Sequence, residues 1–391
     1  MNENDFDENI TGKIEWESQG AYYRFKPNEL PFQFEESNEL SGQAQNTILA
    51  LGRLDGLTQK FTKEEISLFQ LPFMLKEAQM SSEIEGTRST ISDVFKEEKI
   101  EEINPERKLD NQEIRNYREA MNFAFKKKNE PVTVELIKEI HKILLQGVRG
   151  EDKTPGEFKT KQNAIGKRED TLDSAKFVPA SPETTPNLIE NLVKYTNENI
   201  IQKLYQIGII HYQFEAIHPF RDGNGRIGRL LLVQLLCMKN IISHPLLYIS
   251  EYLTRNKDTY IEKLFNISSK GEIKEWLLFL LKAIEVQAKK SFELLNKIDN
   301  YKKELHKLSP QISKSPNMHI LIDSLFKQPF FTVRDVMKII EISQPSAWGL
   351  IQKLIDQKIV IIYDKKQKKK LYVAFEIINS LEDREVFKNE K

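Results

Sequence analysis

Residues 218–229 read His-Pro-Phe-Arg-Asp-Gly-Asn-Gly-Arg-Ile-Gly-Arg, and the types and spacing of these side chains could do phosphate chemistry. Gly223 and Gly225 flank Asn224 where a loop gives way to an apolar helix expected over Arg226–Lys239. Such a loop can present successive backbone N–H groups, and the helix adds its positive N-terminal dipole, so together they make an anion cradle. Arg226 and Arg229 lie on one face of the first turn, where their charge opposes the dipole and calls for an anionic partner such as a polyphosphate. Asp222 offers a hard oxygen ligand for Mg²⁺ beside that cradle. His218 adds an imidazole, a base near neutral pH. Taken singly, a histidine at a helix end is most often structural, Gly-Asn-Gly is most often a turn, and paired arginines mark a solvated face. In conjunction they suit one task, which is to hold and attack a nucleotide phosphate.

The elements that must position this loop are helical. From about Leu40 to Ile284 apolar residues recur three and four apart, as in Ala44–Leu57, Lys63–Glu85, Asp110–Lys127, Val134–Gln146, Thr185–Asn199 and Gln202–Ile217. Thr133 and Ser181 stand where N-terminal caps belong. No alternation of strands with helices suggests a parallel sheet. The arm before residue 40 reads as irregular, with one short strand at Ala21–Phe25. Glu151–Pro182 is a long loop rich in Pro and Gly, and ordered loops of that length are often functional. A charged helix from Glu272 to about Lys307 is expected to leave the core, with Ser309-Pro310 and Ser315-Pro316 breaking the chain after it. Beyond these, His319–Phe326, Val333–Ile340 capped by Thr332, and Pro345–Gln357 read as helices, followed by strands at Ile359–Tyr363 and Leu371–Ala374. The resulting division is an arm over 1–40, N-terminal helices over 41–108, a core over 109–285, a helical linker over 286–315 and a small unit over 316–391.

The run from His218 to Arg229 resembles the signature loop of the Fic (Fic/Doc) family, His-x-Phe-x-Asp/Glu-Gly-Asn-Gly-Arg-x-x-Arg, and matches it at every fixed position. The resemblance implies a mainly α protein: a Fic-type helical bundle with a small β-hairpin flap, here followed by what resembles a winged helix-turn-helix. It also implies a protein adenylyltransferase that moves AMP from ATP to a Ser, Thr or Tyr hydroxyl of a target protein, itself included. His218 would be the general base and Asp222 would hold Mg²⁺. Gly223, Asn224, Gly225 and Arg226 would cradle phosphates, and Arg229 would reach the γ-phosphate, while Phe220 anchors the loop in the core.

Two further segments fit that resemblance. Ser81-Ser82-Glu83-Ile84-Glu85-Gly86 is similar to the family's inhibitory motif in its class II placement, ahead of the catalytic core. It implies that Ser81, Glu85 and Gly86 form a brake in which Glu85 pairs with Arg229; on residues alone, Gly86 is an ordinary glycine past a helix C-cap. Glutamate at that helix end is unfavourable against the dipole and wants a cation. Some relatives with this glutamate also remove AMP. In the long loop, Ala175, Lys176, Phe177 and Val178 resemble the flap that would hold a target segment by strand addition. Position 164 departs from the pattern, being Ala where many relatives carry an aromatic.

Composition agrees with a soluble globular chain. Of 391 residues 39% are hydrophobic and 30% charged, and 58 basic residues balance 58 acidic ones. That balance argues against a surface that binds polyanions throughout. The single cysteine, Cys237, lies in an apolar run and leads to the expectation of a reducing, cytoplasmic setting. Neither a signal peptide nor a membrane span is expected. Lys365, Lys366, Lys368, Lys369 and Lys370 place a basic hairpin on the C-terminal unit, where DNA binding, protein contact and homodimer formation all remain open. Alternative readings are a Fic-fold transferase with another donor (another nucleotide, phosphate or phosphocholine) and a DNA-binding regulator with a Fic sensor unit.

Overall fold

The computed structural model describes residues 1–18, 20–97, 99, 105–166, 171–364 and 370–382. It begins with a hairpin in which β1 (Gly12–Glu17) pairs antiparallel with β2 (Tyr22–Pro27). The arm is therefore less irregular than its sequence suggests. In β1 only Gly12 is buried, so that strand carries no period-two apolar signal. The Phe25 N–H of β2 donates to the Val178 carbonyl at 2.8 Å, tying the hairpin to the long loop.

Helices follow in close succession. Ser37 caps α1 (Asn38–Thr58), and a reciprocal Thr62–Glu65 capping box opens α2 (Lys63–Ile84). A short α3 (Ile91–Glu97), too brief to show periodicity, precedes α4 (Pro105–Lys126). Thr133 caps α5 (Val134–Leu144) by accepting from the Leu136 N–H. After the long loop come α6 (Thr185–Asn197), α7 (Lys203–Ile217), α8 (Asn224–Met238), α9 (Ser250–Arg255) and α10 (Lys257–Lys270). Both α7 and α8 are buried on nearly every side, which places this helical pair at the centre of the bundle. Close approach there depends on Gly208, where a Cβ would lie 2.5 Å from Leu277. The neighbouring Trp276 indole donates to the Gly208 carbonyl at 2.9 Å.

One expectation is overturned. The helix α11 (Ile273–Ile312) does not leave the core: it is 40 residues long and packs along α1, with Leu281, Ile284, Ala288, Leu295, Ile298 and Leu305 all buried. Nor does Ser309-Pro310 break it. Pro310 removes a donor to the His306 carbonyl, and the Ser309 hydroxyl supplies that hydrogen bond instead, at 2.9 Å. Residues 285 and 286 both lie within α11, and 108 and 109 both within α4, so divisions at those points cut continuous helices.

The last unit contains α12 (Asn317–Lys327), β3 (Phe330–Phe331), α13 (Val333–Ile340), α14 (Gln344–Asp356), β4 (Ile361–Asp364), β5 (Leu371–Val373) and α15 (Phe375–Glu382). Its strands form an antiparallel sheet in the order β3-β5-β4. Lys365, Lys366, Lys368 and Lys369 lie outside the described residues, and Lys370 is exposed. The unit rests on the N-terminal helices. Helix α12 packs against α2, Lys99 pairs with Asp335 at 2.9 Å, and Ser92 N–H donates to Glu382 at 2.9 Å. No helix among the described residues is long and apolar enough to cross a membrane.

The α1–α11 seam is expected to carry much of the stability. Leu281→Ala, which empties a fully buried site, should lower unfolding free energy by about 2–5 kcal/mol in urea titrations.

Candidate active site

The signature loop starts at a backbone reversal. His218 ends α7 in the left-handed region, at φ 50° and ψ 61°, and its N–H still bonds the Phe214 carbonyl at 2.9 Å. Gly223, at φ 77°, makes a second left-handed turn that starts α8. Between the two turns the chain is closed by Asn224. Its amide oxygen accepts from the Phe220 N–H at 2.9 Å and its amide nitrogen donates to the Phe220 carbonyl at 2.8 Å. The Asn224 side chain thus braces the loop, leaving its backbone N–H and the second hydrogen of its amide nitrogen outside these two bonds. Phe220 is fully buried, and its ring stacks on the His141 ring with centroids 3.8 Å apart.

The first-turn N–H groups of α8 have no partner within their own helix, and they open beside two buried arginines. Arg226 is 5% exposed, and its Nε has no hydrogen-bond partner among the described residues. Asp222 accepts the Gly223 N–H at 2.6 Å and faces Arg226 at 3.4 Å, both through Oδ1. Its side chain is 43% exposed. Oδ2 points past Gly150, where a Cβ would stand 2.8 Å away. A single carboxylate suits Mg²⁺, which keeps several waters and shares phosphate oxygens, better than an all-protein cage. Among the described residues no cluster of three His, Cys, Asp or Glu could hold a metal.

Arg229 is 1% exposed, and Ser81 and Glu85 meet it from α2. Its Nε donates to the Ser81 hydroxyl at 2.9 Å, and Nη2 donates to the Ser81 carbonyl at 3.0 Å and to Glu85 Oε1 at 2.7 Å. Burial works to raise the Glu85 carboxyl, but Arg229, with Arg226 and Lys257, more than offsets it and holds the group below its ordinary value. The end of α2 is built to present this glutamate. Gly86, at φ 101°, donates to the Glu83 carbonyl and Thr87 donates to the Ser82 carbonyl, the paired bonds of a Schellman cap. Lys257 and Thr254 cap the Ile84 and Met80 carbonyls, at 2.5 and 2.9 Å. Gly225 completes the fit, because a Cβ there would lie 2.6 Å from Glu85 Oε1 and 2.8 Å from Arg229 Nη1.

Residues 131–236 match the model of the Fic/DOC family, and residues 42–126 match that of the Fic/DOC family N-terminal region. Both parts of a Fic/DOC domain are thus matched within this chain. It is 28% identical over 219 residues to a "Probable protein adenylyltransferase" of Aquifex aeolicus, covering 56% of this chain and 60% of that one. It is 29% identical over 117 residues to "Protein adenylyltransferase fic-1" of Caenorhabditis elegans, covering 29% of this chain and 21% of that one. The match thus spans less than two thirds of either relative. Among solved structures, a Fic family protein of Desulfovibrio desulfuricans shares the fold with a TM-score of 0.55 at 18% identity, covering 87% of this chain and 97% of that one. A Fic domain containing signaling protein of Bacteroides thetaiotaomicron gives 0.51 at 21% identity, over 64% and 95%.

In this Fic/DOC site the expected flap residues are placed largely inward. Among the described residues the pairing is one antiparallel bridge, Ile165 with Phe177, with hydrogen bonds of 2.8 and 3.1 Å. Ala175, Phe177 and Val178 are buried, the Val178 carbonyl is taken by Phe25, and the exposed Lys176 lies over the Phe265 ring at 5.2 Å.

Several residues of the site carry no motif signal. His141 accepts from the Gly156 N–H at 2.8 Å through Nδ1, so its Nε2–H donates to the Asp222 carbonyl at 3.0 Å. Burial pushes this ring down to about 4, keeping it neutral. Glu215 reaches to 3.8 Å from His218 Nδ1, and burial pushes its carboxyl up to about 7. Lys159 and Asn163 lie beneath the loop. The one available hint of His141 is a histidine in register with the apolar face of α5, while Lys159 looks like any loop lysine. Since the buried Phe220 N–H is accepted by Asn224 alone among the described residues, Asn224→Ala should lower stability by about 1–3 kcal/mol in urea unfolding.

Proposed function

We propose that the chain is a protein adenylyltransferase, with ATP as donor and a Ser, Thr or Tyr hydroxyl as acceptor, and that Glu85 holds it in check. The observation that carries this reading is the meeting of a neutral His218 ring with the α8 N-terminus and two buried arginines. Burial, then the nearby Lys159 cation, push the His218 imidazole down to about 3, so it is free to accept a proton at any physiological pH. Its side chain is 19% exposed, enough to be reached by an incoming hydroxyl.

In this mechanism Nε2 of His218 takes the proton of the hydroxyl as the oxygen bonds to the α-phosphorus and the bond to pyrophosphate breaks. The Gly223–Arg226 backbone and the Arg226 guanidinium hold the phosphates, and Arg229 binds the γ-phosphate once Glu85 leaves it. Asp222 would hold Mg²⁺, which supplies charge neutralisation on the phosphates. Positioning and charge stabilisation supply most of the acceleration. Glu85 and a γ-phosphate compete for one guanidinium, which is how the brake would act. The buried, unpaired Cys237, with its thiol pushed up to about 12 by burial, suits a reducing compartment such as the cytoplasm.

Incubation with α-labelled ATP and Mg²⁺, read by intact mass, tests the reading. Glu85→Gly is expected to raise the yield of AMP adduct on the chain by on the order of 10- to 100-fold, and adding His218→Ala should abolish it. Equal labelling with and without His218 would refute the assigned base, and no gain from Glu85→Gly would refute the brake.

A further inference from the structure

The main chain on both sides of His218 is held from below by two residues of the long loop. Lys159 Nζ donates to the Ile217 carbonyl at 3.0 Å, and its own N–H donates to the Pro219 carbonyl at 2.8 Å. Asn163 Nδ2 donates to the His218 carbonyl at 3.2 Å and to the Phe220 carbonyl at 2.9 Å. Four consecutive carbonyls, from Ile217 to Phe220, are thus satisfied by this pair. The pair is itself linked, Lys159 Nζ donating to Asn163 Oδ1 at 2.9 Å.

A surface lysine does not make such contacts. Lys159 is 2% exposed and has no ion pair within 4 Å among the described residues; the carboxylate that favours its charge from farther away is Glu183. Putting a cation there is unfavourable, and burial pushes its ammonium down to about 7. On the His218 side the other ionisable groups are Glu215 and Glu85. No hydrogen bond links Lys159 to Asp222, Arg226 or Arg229 among the described residues, so it lies outside the phosphate cradle.

We infer that Lys159 is a positioning residue for the transfer: its buried ammonium, with Asn163, fixes the carbonyls around His218 and so aims the imidazole across the cradle. This rests on the adenylyl-transfer reading with His218 as base. The His218 ring has only a weak contact with the Glu215 main chain, in the last turn of α7, and its Nδ1 makes no hydrogen bond of ordinary geometry among the described residues. The strapped backbone is then what sets the direction of the ring. A misaimed base loses rate and not nucleotide affinity.

The test uses the full chain in the Glu85→Gly background, adding Lys159→Met or Lys159→Arg, with thermal unfolding to verify folding. For Lys159→Met the transfer kcat is expected to fall on the order of 10- to 100-fold, with KM for ATP unchanged within about twofold, and Lys159→Arg should recover more of the rate. Independently of activity, the His218 ring followed by NMR should titrate at higher pH in Lys159→Met than in its parent, because a neighbouring cation has gone. A folded Lys159→Met with unchanged kcat, or one whose KM rises in step with the loss, overturns the proposal. If the Glu85→Gly parent itself transfers no AMP, the adenylyl-transfer reading fails, and an unmoved His218 titration would then reject the Lys159 coupling separately.

Discussion

The Arg229 guanidinium is almost entirely out of water, and a buried cation is tolerated only where hydrogen bonds and an opposing charge surround it. Its surroundings meet that condition with the Ser81 hydroxyl, the Ser81 carbonyl and the Glu85 carboxylate. Much of the architecture follows from this one requirement. Helix α2 must end beside the first turn of α8, so its last carbonyls are capped by Thr254 and Lys257 and its exit is turned by Gly86. Glu77, two turns earlier on the same face, is fully buried and bonded to Ser250, with burial pushing its carboxyl up to about 7. The interior around Arg229 is thus set up for one cation and a limited amount of negative charge.

The legible part of the site was the part written in consecutive residues. His218 through Arg229 carry their geometry locally, in two left-handed turns and a helix start, so types and spacing suffice to place them. Glu85 was legible in part: a glutamate at a helix C-terminus calls for a cation, while its pairing with Arg229 came from the motif's resemblance and not from the residues alone. Asn224 is less legible. Its residue type leaves open whether the side chain meets a phosphate or braces its own loop, and the bracing bonds to Phe220 appear only in the structure. His141 and Lys159 reach the loop from 81 and 58 residues away, to the Asp222 and Ile217 carbonyls, and nothing near them in sequence announces it.

At the level of the fold, helices with strong three-and-four spacing were apparent and their surroundings were not. A charged helix rich in Lys and Glu looks solvated, yet α11 buries one stripe, first along α1 and then against α12 and α15, with charges such as Lys282, Lys289 and Glu285 paired at its flanks. Pro310 reads as a stop until the preceding serine is seen to replace the missing donor. The β1–β2 hairpin is held by an edge contact with the loop at Val178, a tertiary cause invisible in a half-exposed strand.

A Cβ on Gly225 would come within 3 Å of both partners of the Arg229–Glu85 pair. Between helix end and helix start the Glu85 carboxylate faces the one buried guanidinium that a visiting anion would also need. Under the proposed brake, regulation at this point would resemble a seat and not a dial: either the chain's own carboxylate sits against Arg229, or a visiting anion does. Intermediate activity would then reflect the fraction of molecules in each condition, never a half-open arrangement.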